Sequence, residues 1–180
     1  RKEDVFDFTK PYPDYDIEEL SRYAKEKGGK IITHHENSAA VTSYERQMEA
    51  AYNFMEKYGM NSVKTGYVGH VIPKGEWHDG QWMSNHYIRV AQATARHKIM
   101  LDAHEPARPS GWQRTWPNFL SSEAGRGMEY NAWSKGNTPE HVVTLPFTRN
   151  LGGPMDYTPG IFETRMNVYD KNKKEIVHST

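Results

Sequence analysis

The chain has 180 residues, carries 23 basic and 23 acidic side chains, and contains no cysteine. That length bounds it to one domain or a piece of one. The balanced charge offers no basic surface for nucleic acid, the missing thiols exclude a disulfide scaffold or thiolate metal site, and no apolar run reaches the roughly 18 residues of a membrane span. Mean hydropathy is low at -0.89. A free-standing sheet of parallel strands buried on both faces would be richer in Val, Ile and Leu. The start Arg1-Lys-Glu-Asp does not read as a signal peptide.

In chain order, Asp4 to Phe8 alternates weakly, and a Pro11-Tyr-Pro13 turn leads into a helical stretch. Ile17, Leu20 and Ala24 fall at helical spacing there, and Gly28-Gly29 stops it. A strand is expected at Lys30 to Thr33. A second helix follows, with Tyr44, Met48, Ala51, Tyr52 and Met55 on one face and a stop at Gly59. Ser62 to Val68 reads as the next strand, Gly69 to Gly80 as a polar loop, and Met83 to about His97 as a third helix. His97 to Leu101 opens another strand. Pro106 to Asn118 is a loop rich in Pro, Trp and Arg. Further on, Phe119-Leu-Ser-Ser leads to Glu123, His141 to Phe147 is strand-like, and Gly152 to Gly160 is a rigid turn region. The tail from Arg165 is charged and featureless.

From Ile31 to Val63 to Ile99 the spacing is 32 and then 36 residues, the length of a strand, crossover helix and return. Three such units predict a barrel or a doubly wound sheet. No glycine-rich phosphate loop follows any strand, which disfavours a nucleotide-binding sheet. About five strands can be counted, and an eight-stranded barrel needs about 250 residues. The fold class expected is therefore α/β, a partial (β/α)8 barrel spanning residues 1–180.

Chemistry concentrates at strand ends. Lys30-Ile-Ile-Thr-His-His-Glu36 and Lys98-Ile-Met-Leu-Asp-Ala-His-Glu105 share a shape, an apolar run closing on His-Glu. Parallel barrels build their active sites at the carboxyl ends of strands. A third cluster holds Glu123 and Glu129, with Gly125 and Gly127 between them. Those glycines would let the backbone turn both acids toward one cavity. Converging acids suit either a hard cation or hydrolysis of a glycosidic bond. The plainer alternative for each is a solvated loop acid. His34, His35 and His104 would suit a zinc site, but His35-Glu36 is followed by Asn-Ser-Ala, not the zincin spacing. Lys64 lies inside a strand, where a charge needs a partner or a ligand. Trp77, Trp82, Trp112 and Trp116 flank loops, where they would either stack on sugars or pack.

Five motifs in order extend this reading. They are His34-His-Glu-Asn-Ser-Ala-Ala40, Ser62-Val-Lys-Thr-Gly-Tyr-Val-Gly69, Asp102-Ala-His-Glu-Pro-Ala-Arg-Pro109, Glu123-Ala-Gly-Arg-Gly-Met-Glu129, and Gly152-Gly-Pro-Met-Asp-Tyr-Thr-Pro-Gly-Ile-Phe162. Over nearly its whole length the chain resembles glycoside hydrolase family 97, most closely the inverting α-glucosidase branch of bacterial starch utilisation. The resemblance implies an internal part of a catalytic barrel whose flanking β-sandwich and C-terminal β domains lie outside this sequence. It implies Glu129 as general acid, Glu105 and Glu36 as the pair that activates water, and Glu105 and Glu123 as calcium ligands, a further ligand coming from the N-terminal domain. It implies His34, Lys64 and His104 as sugar contacts. In the retaining branch the position of Gly66 resembles that of an Asp nucleophile, so glycine implies single displacement by water. The expected partners are an oligosaccharide and the remaining domains of the parent enzyme, with no nucleic acid and no membrane span. A periplasmic or exported location follows, with the leader outside this sequence. The other readings are a retaining α-galactosidase of the same family, a non-catalytic sugar-binding or structural piece, and a zinc-dependent barrel hydrolase.

Overall fold

The computed structural model describes residues 6–71, 73–134, 136–157 and 171–172. Helix α1 (Ile17–Glu26) begins where the Asp16 carboxylate accepts the Glu19 backbone N–H at 2.9 Å, a cap of about 1 kcal/mol. It ends at Gly28, whose φ of 74° is the left-handed turn that glycine adopts without strain. Strand β1 (Ile32–Glu36) follows, two residues later and longer than the expected Lys30–Thr33. Helix α2 (Val41–Lys57) buries Tyr44, Met48, Ala51, Tyr52 and Met55, the face expected from their spacing. Strand β2 (Ser62–Gly66), helix α3 (Gln81–Arg96) and strand β3 (Met100–Ala103) complete two more units. A single turn of helix, α4 (Trp112–Thr115), precedes strand β4 (Phe119–Ser122).

The four strands form one parallel sheet in chain order. Its register pairs Glu36 with Gly66, Lys64 with Asp102, and Asp102 with Ser121 across a bulge. Side chains alternate across the sheet. Val63, Thr65, Tyr67, Leu101, Ala103 and Phe119 are buried toward α2 and α3, where each large apolar chain contributes roughly 1.5–3 kcal/mol. His34, Glu36, Lys64, Gly66, Asp102 and His104 take the opposite parity. Near the amino ends of the strands Ile32 is 58% exposed and Met100 42%. Helices cover one face of the sheet, and the face that carries the polar residues stays open among the described residues.

One expectation is corrected. His141 to Phe147 is helical, not a strand: α6 (Pro139–Thr144) runs into a 3-10 turn at Leu145–Phe147. Thr138 caps it by accepting the His141 N–H, and Pro139 in the first turn has the backbone angle that starts a helix. That places α6 after the one-turn α5 (Tyr130–Trp133). Phe6 to Phe8 makes no strand, and Asp4 and Val5 lie outside the described residues, as does most of the tail. Met155 pairs in parallel with Ser122 as an isolated bridge, a fifth position on the sheet inside the expected turn region.

The layer beneath the sheet is unusually polar for a core. His35 is buried against Phe8 and shares a hydrogen bond with Tyr44 at 3.0 Å, and Tyr44 shares one with Tyr52 at 2.9 Å. Burial, with His34 nearby, pushes the His35 imidazole down to about 3. The ring therefore stays neutral in the fold while an unfolded chain takes up its proton below about 6.5. Stability is fully present above that value and falls as the pH drops. From pH 7.5 to pH 5 this group alone should lower stability by about 2 kcal/mol. Urea titrations at the two pH values should show that loss, and His35→Gln, which has nothing to protonate, should reduce it by a similar amount.

Candidate active site

Glu36 closes β1, Gly66 closes β2, Glu105 follows β3 and Glu123 follows β4, so four neighbouring strands deliver them to one edge of the sheet. Gly66 sits at the centre. A Cβ built there would lie 2.7 Å from Glu105 Oε2, 3.3 Å from His104 Cβ and 3.5 Å from Glu36 Oε2. Glu105 Oε2 stands where a side chain would begin, and Glu36 Oε2 is at ordinary contact distance. Tyr67 turns the other way, as its neighbouring position in the strand requires. Its ring is fully buried, its hydroxyl shares a hydrogen bond with His86 at 2.7 Å, and its backbone N–H donates to Glu105 Oε2 at 2.8 Å.

Glu105 is the most constrained of the acids. Its φ of 44° is in the left-handed region, which costs a non-glycine residue roughly 1–3 kcal/mol. The local backbone is held in place: the Glu105 carbonyl accepts from the Tyr87 hydroxyl at 3.2 Å and bonds His78 Nδ1 at 2.9 Å. Its N–H donates to Glu123 Oε2 at 3.4 Å. Burial pushes the Glu105 carboxyl above its usual range against the Tyr67 N–H, and the charges of Glu123 and Glu36 add to the rise. At the other end of the cluster His34 Nε2 lies 3.0 Å from Glu36 Oε2. Burial lowers the His34 pKa against the pull of Glu36, and Lys64 assists.

His104 stands between the strands with Nδ1 3.6 Å from Glu123 Oε2 and Nε2 2.6 Å from Asp156 Oδ2. Asp102 lies behind it, taking a hydrogen bond from Ser121 at 2.7 Å. Burial, with the hydrogen bond to Asp156 and its charge, pushes Asp102 up to about 6 against the Ser121 bond. The structure thus brings His34, Glu36, Lys64, His104, Glu105 and Glu123 to one side of one sheet. Glu129 is exposed at the amino end of α5, with no hydrogen bond or ion pair to this cluster among the described residues. The glycines before it serve packing: a Cβ at Gly127 would meet the Tyr157 carbonyl oxygen at 2.8 Å, and one at Gly125 would meet Met155 at 2.9 Å. Asp102, Asp156 and His78 were missed from sequence. Two of them stood inside the quoted motifs, and an acid in a Gly-Gly-Pro turn was the available signal.

Glu105, Glu123 and His104 each offer a ligand atom within 4.8 Å of the others. Two carboxylates that repel one another and raise Glu105 are the chemistry a hard divalent ion relieves. The residues fit calcium in that sense. Each such group among the described residues holds one histidine only. His35 and His86 are in the core and His97 is paired with Glu49 and Glu56, so these three do not join the acid cluster. The tryptophans divide too: Trp112 and Trp116 pack on the core and Trp82 stacks on His86, while Trp77 is 65% exposed.

Residues 1–125 match the family described as Glycoside hydrolase 97. The chain belongs to glycoside hydrolase family 97. A Streptomyces bingchenggensis protein is 32% identical over 148 residues, covering 81% of this chain and 21% of its own length. The retaining alpha-galactosidase of Bacteroides thetaiotaomicron is 31% identical over 156 residues, covering 86% and 22%. A family 97 enzyme from Pseudoalteromonas sp. strain K8, solved with panose and with acarbose, superposes with a TM-score of 0.85 at 46% identity, covering 92% of this chain and 27% of that one. This family 97 chain therefore spans about a fifth of the length of the curated relatives it matches. No helix of the described residues is long and apolar enough to cross a membrane.

The crowding at Gly66 makes a direct prediction for the intact protein. Gly66→Ala must move Glu105 Oε2 and break its bond to the Tyr67 N–H. Any glycosidase activity of the intact protein should fall by about tenfold to a hundredfold, because the new Cβ displaces a carboxylate oxygen 2.7 Å away. Unchanged kcat/KM would mean that the Glu105 position does not matter.

Proposed function

We propose that the intact protein is an exported, calcium-dependent glycosidase that releases terminal α-linked glucose with inversion. The observation that carries this reading is the environment of Gly66. A retaining mechanism needs a nucleophilic carboxylate close to the anomeric carbon, with its partner about 5–5.5 Å away. The end of β2 has none, and the position is hemmed in by Glu105 and Glu36. Tyr67, the nearest substitute, is buried in the helix layer. Inversion asks instead for a base that deprotonates water and an acid that protonates the leaving oxygen.

In this reading Glu36 and Glu105 activate the water. The raised Glu105 carboxyl suits that role, because a base works best when its pKa approaches the working pH. Glu129 is the acid, and its exposure suits a group that must meet a leaving group in solvent. His34, Lys64 and His104 hold sugar hydroxyls. Glu105 and Glu123 would hold calcium with a ligand from elsewhere in the protein, and the ion would supply positive charge that fixes the base. Support for glucose comes from the 46% identical family 97 enzyme solved with panose and with acarbose.

A second reading, a retaining α-galactosidase, is favoured by the name of the Bacteroides thetaiotaomicron relative. Stereochemistry separates the two. Proton NMR of early hydrolysis of an α-glucoside should show β-glucose first. If α-glucose appears first, inversion is overturned; if only an α-galactoside is cleaved, and α-galactose appears first, the second reading replaces the first. For the metal, chelation should abolish activity and calcium should restore it. Restoration by zinc and not by calcium would return the zinc hydrolase to consideration.

A further inference from the structure

Asp156 has no role in the reading above, yet it lies 2.6 Å from His104. It arrives from beyond β4 on a return segment held almost wholly by backbone. The Ser122 N–H donates to the Pro154 carbonyl at 3.4 Å, and the Asp156 N–H donates to the Ser122 carbonyl at 3.1 Å. The Arg149 guanidinium clasps the segment by donating to the carbonyls of Ser122 at 2.7 Å, Gly153 at 3.1 Å and Glu123 at 3.2 Å. Gly152 and Gly153 allow close approach: a Cβ on either would lie 2.8 Å from Pro109 or Gln113. None of these contacts uses the Asp156 carboxylate. The fold delivers that side chain to the site without needing it for the delivery.

At the site it meets His104, with Asp102 hydrogen-bonded to it from behind. Burial raises Asp156, but the hydrogen bonds from His104 and Asp102 and the charge of Lys64 outweigh it, so the carboxyl lies below its usual range. A carboxylate accepts hydrogen bonds only, so across the 2.6 Å contact with Asp156 Oδ2 it is His104 Nε2 that donates. Asp102 Oδ2 at 3.7 Å from the same nitrogen is too distant to replace it.

We propose that Asp156 is a positioning residue of the candidate site: it accepts the Nε2–H of His104 and fixes the ring with Nδ1 facing the Glu105–Glu123 pair. A carboxylate behind an imidazole sets both its tautomer and its orientation, and the loss of such a partner typically costs about 10–100-fold. Without Asp156 the ring can turn about its last side-chain bond, and Nδ1 no longer has a fixed direction. The inference rests on the functional reading given above for His104.

A double-mutant cycle in the intact enzyme tests it, measured as kcat/KM on an α-glucoside, or on an α-galactoside if that is the substrate. Asp156→Ala should lose about tenfold or more in the wild-type background and less than about threefold in His104→Ala, because Asp156 acts through that ring. Asp156→Asn, whose amide oxygen still accepts from Nε2, should recover most of the loss. Equal losses in both backgrounds would overturn the proposal and leave Asp156 a direct or purely structural contributor. If Asp156→Ala does not fold, Asp156→Ser, too short to reach Nε2, takes its place with the same expectation. A second readout does not depend on turnover. The His104 Nε2 proton, identified by its loss in His104→Ala, should resonate downfield in wild type and disappear or move in Asp156→Ala. An unmoved resonance would overturn the proposal, whereas failure of both glycosides as substrates would overturn only the function proposed above.

Discussion

Glu36, Glu105 and Glu123 are brought close together at the ends of neighbouring strands, and the repulsion among them governs the arrangement around the site. Like charges in a partly buried place raise one another's pKa unless hydrogen bonds or cations offset them. Each acid has a hydrogen-bonding neighbour: the Tyr67 N–H donates to Glu105, His34 Nε2 lies 3.0 Å from Glu36, and the Glu105 N–H donates to Glu123. For Glu105 burial, with the charges of Glu123 and Glu36, outweighs the Tyr67 bond, and its pKa is raised. A half-compensated carboxylate is a good acceptor for a proton from water or for a divalent ion, and a poor one for burial in a core. Gly66 gives the Glu105 carboxylate its place, since a Cβ there would lie 2.7 Å from Oε2.

Rigid support for this edge comes from the layer on the other face. Tyr44, Tyr52, Tyr67, Tyr87, His35 and His86 are all buried between the sheet and α2 and α3, and their polar atoms pair with one another or with backbone. Buried polar groups left unpaired are costly, so such a network tolerates few alternative packings. It reaches the site directly, because Tyr67 and Tyr87 both bond Glu105 through its side chain or carbonyl. His86 continues outward to Glu45, which also takes Arg89, so the network ends at a surface ion pair. The left-handed backbone at Glu105 persists because that network surrounds it.

Much of this was legible along the chain. The period from Ile31 through Val63 to Ile99 marked three strand–helix units, and the buried face of α2 followed from its apolar spacing. Strand ends closing on His-Glu pointed to β1 and β3 as carriers of acids. Gly66 was informative by lacking a side chain. His141 to Phe147 misled because an apolar run of that length suits either a short strand or a helical turn, and Thr138 and Pro139, which start the helix, weigh more than the run itself. Glu129 shows another limit: its spacing from Glu123 placed both acids near one turn, but the direction of each side chain depends on packing around Gly125 and Gly127.

What the sequence determined by itself was local: which segments are strands or helices, which residues end each strand, and which family the motifs resemble. Those features depend on residue spacing, capping and side-chain absence, all of which act within a few residues. The tertiary structure decided which groups face each other across 18 to 52 positions of chain, as Glu105 does Glu123 and as His104 does Asp156. Asp156 reaches His104 only because an arginine and two glycines fold a distant turn back onto β4. Long-range contacts of that kind depend on the register of strands and the fit of loops, and neither leaves a periodic trace in one chain.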